Sequence, residues 1–264
     1  MSEKENVLWT LREDTLISDL KEGKRVDGRK LDEVRKITIQ KEGVSENAHG
    51  IARVKLGNTD VIAGVKIDVA TPYPDSPDEG AITIGAELLA LASPDFEAGP
   101  PGQEAIELSS VVDRSIRESK AIDFKTLGLV SGEKCWMVII DIYVLNQDGN
   151  LFDACSIAAV SALLDAKMPK LDKEYKIIKG EYEGKLKLLK KPVMSTFAKV
   201  GNTIVLDPCM EEETAASARF SIGIADDDHI CAFQKGGSGS FLPDEVDYCI
   251  DQAFKNAKHI RKLL

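Results

Sequence analysis

Histidine is nearly absent from this 264-residue chain: His49, His229 and His259 lie far apart and show no H-x-x-x-H spacing. A zinc centre or a His-based catalytic triad therefore has little to stand on, and neither is expected. Cysteine is scarce too. The five thiols (Cys135, Cys155, Cys209, Cys231 and Cys249) are odd in number, widely spaced, mostly set in apolar runs, and include no C-x-x-C pair. They read as reduced, buried thiols of a cytoplasmic protein. No apolar run approaches the roughly 20 residues that span a bilayer, and the opening Met-Ser-Glu-Lys-Glu-Asn is too polar for a signal peptide, so neither secretion nor membrane insertion is expected. Positive charge is in deficit, with 34 Lys and Arg against 44 Asp and Glu and a formal net charge of −10. Such a chain cannot bind nucleic acid with its whole surface, so any contact of that kind must be local or supplied by a partner.

What is present is enough chain for one large domain or two closely packed halves, either of which buries roughly 75% of its unfolded surface. Leu8, Leu11, Leu16 and Leu20 recur at helical intervals up to Gly23, which predicts a short amphipathic lead helix over 6–22, ahead of the domain proper. From Lys36 the period changes. Ile37, Ile39 and the stretch 50–69 alternate apolar and polar residues around Gly57-Asn58-Thr59, a β-hairpin pattern. Proline-bearing loops over 71–80 and 93–102 flank an apolar run, Ala81 to Leu91. Between Glu104 and Ile122, Leu108, Val112 and Ile116 mark the apolar face of an amphipathic helix, with Arg114, Arg117 and Ala121 on the other side.

The run Cys135 to Leu145 is almost wholly apolar, as expected of a central strand covered on both faces, and Asp148-Gly149-Asn150 ends it in a turn. A buried helix of small residues over 154–166 follows, then a Lys-rich, Gly-punctuated connection over 171–191. Beyond it the pattern repeats. Lys55-Leu56-Gly57-Asn58-Thr59-Asp60-Val61 returns as Lys199-Val200-Gly201-Asn202-Thr203-Ile204-Val205, five identities in seven. A strand over 220–225, a hairpin near 226–228 and a helix over 244–264, striped by Val246, Ile250, Ala253, Ala257, Ile260 and Leu264, complete a second sheet-then-helix half.

Together these segments resemble the RNase PH family. The residues that carry the resemblance are Arg25-Val26-Asp27-Gly28-Arg29, the Lys55 to Thr59 hairpin, the helix from Ile106-Glu107-Leu108-Ser109 to Ile116-Arg117-Glu118, and Asp148-Gly149 after the central strand. Two loops, 71–75 and 92–101, are similar more narrowly to the silent ring subunit of archaeal RNA-degrading complexes. The resemblance implies an α/β (α+β) fold: a duplicated β-α domain, two sheets with helices packed between and beside them. It covers residues 24–264, in halves of about 24–170 and 190–264, behind a lead segment of 1–23.

Active relatives of this kind degrade RNA by phosphorolysis, and the resemblance places a Ser/Thr-Arg pair directly after the Asp-Gly turn to hold the attacking phosphate. Here Asn150-Leu151-Phe152 stands instead. Active relatives also carry two aspartates that bind a divalent ion or move the proton. Asp207 occupies one place, beside Glu211-Glu212-Glu213, but the second reads Ala215-Ala216-Ser217-Ala218. Losing one such donor commonly costs a hundredfold or more in rate. The resemblance therefore implies a subunit silent alone, paired with an active RNase PH-like subunit in an alternating three-plus-three hexamer, with RNA-binding cap subunits and the 3′ end of single-stranded RNA as further partners. DNA is not expected as a partner. Inorganic phosphate, with Mg2+ as a second candidate, would act at the partner's active site, and no cofactor is expected in this chain. Arg114 and Arg117 are the candidate RNA-binding residues, their bland alternative being a solvated face on which Arg117 pairs with Asp113.

Four readings stay architectural. Asp207 is read as a turn residue before Pro208. Arg25 and Arg29 fit a salt-bridged turn around Asp27 as well as they fit RNA. The 236–240 Gly/Ser tract lacks the G-x-x-x-x-G-K-[ST] pattern of a phosphate cradle and is expected to be a flexible link, while the acidic stretches are expected to be solvated faces.

Overall fold

The computed structural model describes the backbone of residues 3–41 and 48–264, with side chains from residue 12 onward. Helix α1 (Glu3–Lys21) ends where Gly23 takes a left-handed φ of 76°. Then come β1 (Ile37–Gln40), β2 (Gly50–Leu56), β3 (Thr59–Ala70), β4 (Ala81–Leu88), α2 (Gln103–Glu118), β5 (Gly128–Val130), β6 (Lys134–Asn146), α3 (Leu151–Asp165), β7 (Lys167–Leu171) and β8 (Ile177–Lys185). The second half adds β9 (Val193–Val200), β10 (Thr203–Leu206), α4 (Met210–Thr214), β11 (Ala218–Ile224), β12 (Ile230–Gly237) and α5 (Pro243–Arg261).

The first sheet runs β1-β2-β3-β6-β4 with β5 paired to β6, antiparallel except where β4 lies parallel to β6. The second runs β10-β9-β11-β12, all antiparallel. The duplicated turn is real. Gly57 and Gly201 sit at φ 59° and 58°, the left-handed region that glycine enters without steric cost, and each closes a two-residue hairpin with its following Asn.

Helix α3 is buried along nearly its whole length because it lies between the sheets, against β2 and β3 on one side and β9 on the other. Helix α2 spans the same seam from β4 to β12, and α5 covers the far face of the second sheet at β9 and β11. This layering corrects one expectation. Strand β6 is not covered on both faces: Trp136, Val138, Ile140, Ile142 and Val144 are buried, whereas Met137, Ile139 and Tyr143 are half-buried and Asp141 is exposed. A strand covered on both faces is instead β9, whose Thr196 faces α3 and whose Ser195 meets Asn256 of α5 at 2.9 Å.

Other expectations shift for physical reasons. Lys120 adopts φ 56° and ends α2 early, so Ala121 turns inward and is fully buried instead of sharing the arginine face. The 171–191 connection contains half of the β7–β8 hairpin. The 236–240 tract is not a flexible link: Gly236 and Gly237 pair with Arg219 and Ala218 in the second sheet, and the Gly239 amide donates to the Ser217 carbonyl at 2.7 Å. The lead helix docks on the second half, where Leu16 and Leu20 pack with Ala198, Val200 and Val205; the side chains of Leu8 and Leu11 lie outside the described residues.

Candidate RNA interface and the buried network behind it

The turn after β6 packs against the segment that follows β10. Gly149, at φ 81°, has no room for a Cβ, which would sit 2.5 Å from the Cys209 carbonyl carbon and 2.6 Å from the Pro208 oxygen. Asn150, at φ 54°, caps α3: its side-chain oxygen accepts the Asp153 amide at 3.3 Å while its Nδ2 donates to Asp153 Oδ2 at 2.9 Å and Asp207 Oδ1 at 2.7 Å. A left-handed Asn at an N-cap is a conformation that residue tolerates better than most.

Asp207 is the hub. Arg35 grips it as a fork, Nε at 2.9 Å and Nη2 at 2.7 Å, and the Arg35 amide adds a third bond at 2.8 Å. Arg29 reaches it at 3.0 Å. Arg35 also donates to the Asp148 carbonyl at 2.6 Å and the Gly149 carbonyl at 3.2 Å, tying the bend to the second half. Burial opposes charge on Arg35, but the fork to Asp207 outweighs it and raises its pKa. With its oxygens engaged by two guanidinia, an amide side chain and a backbone amide, Asp207 has no free lone pair to offer a metal ion.

A second buried pair braces the same corner. Arg25 forks onto Glu212 at 2.8 and 2.6 Å and donates to the Leu206 and Asp207 carbonyls at 2.9 and 2.8 Å. Arg29 meets Asp27 at 2.6 Å. Arg25 and Arg29 thus fold the chain rather than face solvent. Glu212 and Glu213 depart from the expectation of solvated acidic faces, since Glu212 is fully buried and Glu213 accepts the Asn150 amide at 2.9 Å. Burial pushes Glu213 above the usual carboxylate range. Asp153, fully buried and near Asp207, is pushed up to about 6, chiefly by desolvation, although Asn150 and Thr196 donate to it.

Where the resemblance places phosphate donors, Phe152 presents its ring to Arg219, whose guanidinium carbon lies 4.0 Å from the ring centroid. Arg219 is held by Glu107 at 2.7 Å. The cleft there, about 360 Å³, is lined by four carboxylates (Asp95, Glu104, Glu107, Glu213) and by Arg219 as its one cation. An orthophosphate carries between one and two negative charges at neutral pH and would meet net repulsion.

Arg114 and Arg117 stand apart from this cleft. Both are exposed on α2, seven and ten residues beyond Glu107, which places them roughly 10 and 15 Å further along the helix axis. Arg114 donates to the Phe233 carbonyl and the Gln234 side-chain oxygen, each at 3.2 Å. Arg117 pairs with Asp113 at 2.9 Å and reaches the Ile82 carbonyl at 3.3 Å, with its guanidinium 5.7 Å from the Phe124 ring. The bland pairing of Arg117 with Asp113 is therefore present, yet 43% of the Arg117 side chain stays open to solvent. Gln234 also donates to Glu107 at 2.9 Å, so one chain of contacts runs Arg219–Glu107–Gln234–Arg114. Neither Arg35 nor Gln234 stood out in the sequence, because each acts through residues more than a hundred positions away.

Among the described residues no group of three or more His, Cys, Asp or Glu is placed to hold a metal, and no helix is long and apolar enough to cross a membrane. The two domains of the 3′ exoribonuclease family match residues 33–169 and 191–256. The chain is 47% identical to the exosome complex component Rrp42 of Thermococcus gammatolerans, over all of this chain and 97% of the relative, and 43% identical to that of Methanopyrus kandleri, over 97% of each. Among solved structures it resembles a chain of the Archaeoglobus fulgidus exosome with RNA bound to the active site, at a TM-score of 0.91 and 41% identity over 97% of this chain and 98% of that one. A chain of an archaeal exosome core follows at 0.87 and 38%, over 98% of each. Matched in both domains and along its full length, the chain belongs to the RNase PH family of 3′ exoribonucleases.

Proposed function

We propose that this chain is the silent member of an RNA-degrading exosome ring in the cytoplasm. It alternates with an active RNase PH-like subunit, three of each, around a channel for single-stranded RNA, with RNA-binding cap subunits on one face. The likeness to exosome components and exosome-core chains supports ring membership. Exposed Leu91, Ile106, Phe233 and Leu242 are apolar surface suited to cover by neighbouring subunits.

The observation that carries the silent half of this reading is the cleft beside Phe152. Phosphorolysis needs donors that hold inorganic phosphate against an anionic RNA backbone. Here the position is taken by an aromatic ring and a guanidinium already bound to Glu107, inside a ring of carboxylates. Phosphate, with Mg2+ as a second candidate, therefore acts at the partner's site. There a phosphate oxygen attacks the last phosphodiester phosphorus, the bond to the 3′ oxygen of the shortened RNA breaks, and a nucleoside diphosphate leaves. A self-sufficient homo-hexameric exoribonuclease, the competing reading, lacks the donors it needs in this chain.

What this chain contributes is grip. Arg114 and Arg117 lie further along α2 from their own cleft and hold the phosphates of the RNA 3′ end beside the partner's active site. Guanidinium suits this because it is always charged and binds phosphate oxygens in a fork. The test is a ring reconstituted from this chain and an active RNase PH-type subunit, assayed for release of nucleoside diphosphate. The Arg114→Ala/Arg117→Ala ring should assemble normally and need at least tenfold more RNA for half-maximal rate. Unchanged RNA dependence would remove the assignment.

A further inference from the structure

The chain is acidic overall, yet residues 167–191 carry nine lysines against four carboxylates. Within that stretch Lys167 on β7 lies directly opposite Lys185 on β8. Like charges facing each other across a ladder destabilise it. Among the described residues neither lysine has a carboxylate partner, in contrast to Lys170, which pairs with Glu181 at 2.8 Å, and Lys176, which pairs with Glu174 at 2.8 Å. The next cross-strand partner along the same hairpin, Tyr182, leaves 46% of its surface exposed, with the Lys167 ammonium 5.8 Å from its ring.

The hairpin is anchored to the first sheet at this end. The Lys167 amide donates to the His49 carbonyl at 2.8 Å, and the His49 and Tyr182 rings meet edge to face at 6.1 Å. The imidazole is fixed by accepting the Ile67 amide at 2.8 Å. Burial lowers its pKa, and the nearby Lys66 ammonium adds to that effect while Asp68 opposes it. Two exposed lysines of the hairpin (Lys167, Lys185) and its open Tyr182 ring thus lie beside the fixed His49 imidazole of the first sheet, which the exposed Lys66 of β3 also adjoins.

We infer that this hairpin base is a second contact for single-stranded RNA, separate from the Arg114/Arg117 face: Lys66, Lys167 and Lys185 bind successive phosphates while a base stacks on Tyr182. It rests on the reading that the chain handles RNA. A lysine cluster alone would take any polyanion. The exposed tyrosine ring beside it favours a ligand with π faces, since a base stacked on an aromatic side chain contributes a five- to hundredfold gain in affinity whatever its identity.

The experiment uses the full chain alone and a fluorescein-labelled 30-mer of oligoadenylate, read by anisotropy across a salt series. The Lys66→Ala/Lys167→Ala/Lys185→Ala variant should bind at least tenfold more weakly, and its salt slope should fall by about 2, since each single-strand phosphate contact contributes about 0.7. Tyr182→Ala should weaken binding about tenfold with the slope kept, and Tyr182→Phe should restore it. Wild-type affinity and slope in the triple variant overturn the inference. So does a neutral Tyr182→Ala, the result expected if the lysines serve an acidic protein segment; binding of polyglutamate lost in parallel with RNA would identify that occupant. Because no partner is present, failure of the ring reading leaves this measurement intact, and loss of binding in Arg114→Ala/Arg117→Ala alone would support that reading while overturning this one.

Discussion

The corner around the 148–152 bend and the outer face of α2 both display arginine, and they use it in opposite ways. At the bend, Arg25, Arg29 and Arg35 are sunk into the protein with their donors spent on Glu212, Asp207 and backbone carbonyls. On α2, Arg114 and Arg117 are exposed, steadied by two neighbouring residues and three respectively. A saturated buried guanidinium holds two halves of a fold together and has nothing left for a ligand. A steadied but open one is pre-oriented and still has donors to give. The same residue type is thus architecture in one place and binding capacity in the other, and burial with partner count decides which.

That contrast can be broken, and the largest effect should come from the buried side. Asp207→Ala strips the partner from Arg35 and Arg29 and leaves charge uncompensated in the interior, for which a loss of roughly 3–5 kcal/mol is expected in denaturant titration. A loss under about 1 kcal/mol would mean that the hub is hydrated and the network ornamental.

The next effect is a pH dependence. Asp153 titrates near 6 when folded, above the 3.8 of a free aspartate, so the folded state binds the extra proton between those values. This contribution to stability is fully present below pH 3.8 and is lost as pH rises through 6, on the order of 3 kcal/mol in total. Wild type should therefore lose more stability than Asp153→Asn as pH goes from 4 to 6.5. Parallel pH profiles would show that Asp153 is ionised throughout. The smallest effect belongs to Gln234, which steadies Arg114. Gln234→Ala in the reconstituted ring should weaken RNA binding two- to threefold and change stability by less than about 0.5 kcal/mol, as expected for a half-buried site on the surface of the sheet. A larger stability loss would place Gln234 in the architecture instead.

How much of this was legible in the sequence follows from the range over which each residue acts. The repeated Lys-x-Gly-Asn-Thr turn, the α2 stripe and the α3 helix were readable because their signals are local: a left-handed glycine, a 3.6-residue period, a run of small residues. Strand β6 was misread because an apolar run looks the same whether one face or both are covered, and only the layering of α3 and α5 shows that β9 is covered on both. The missing phosphate donors could be seen by comparing Asn150-Leu151-Phe152 with the pattern of active relatives. The stack of Arg219 on Phe152 and its bond to Glu107 could not, since those residues come from three separate elements. Likewise, the Pro208 that follows marks Asp207 as a bend in the chain, but the arginines that saturate it lie more than 170 positions earlier.

The account stands or falls on whether this polypeptide can use orthophosphate by itself. Purified chain, free of any partner, should be incubated with oligoadenylate and inorganic phosphate and the mixture analysed for ADP. No ADP above a phosphate-free control is the expected result, with release appearing once the active subunit is added. Sustained ADP formation by the lone chain would contradict it.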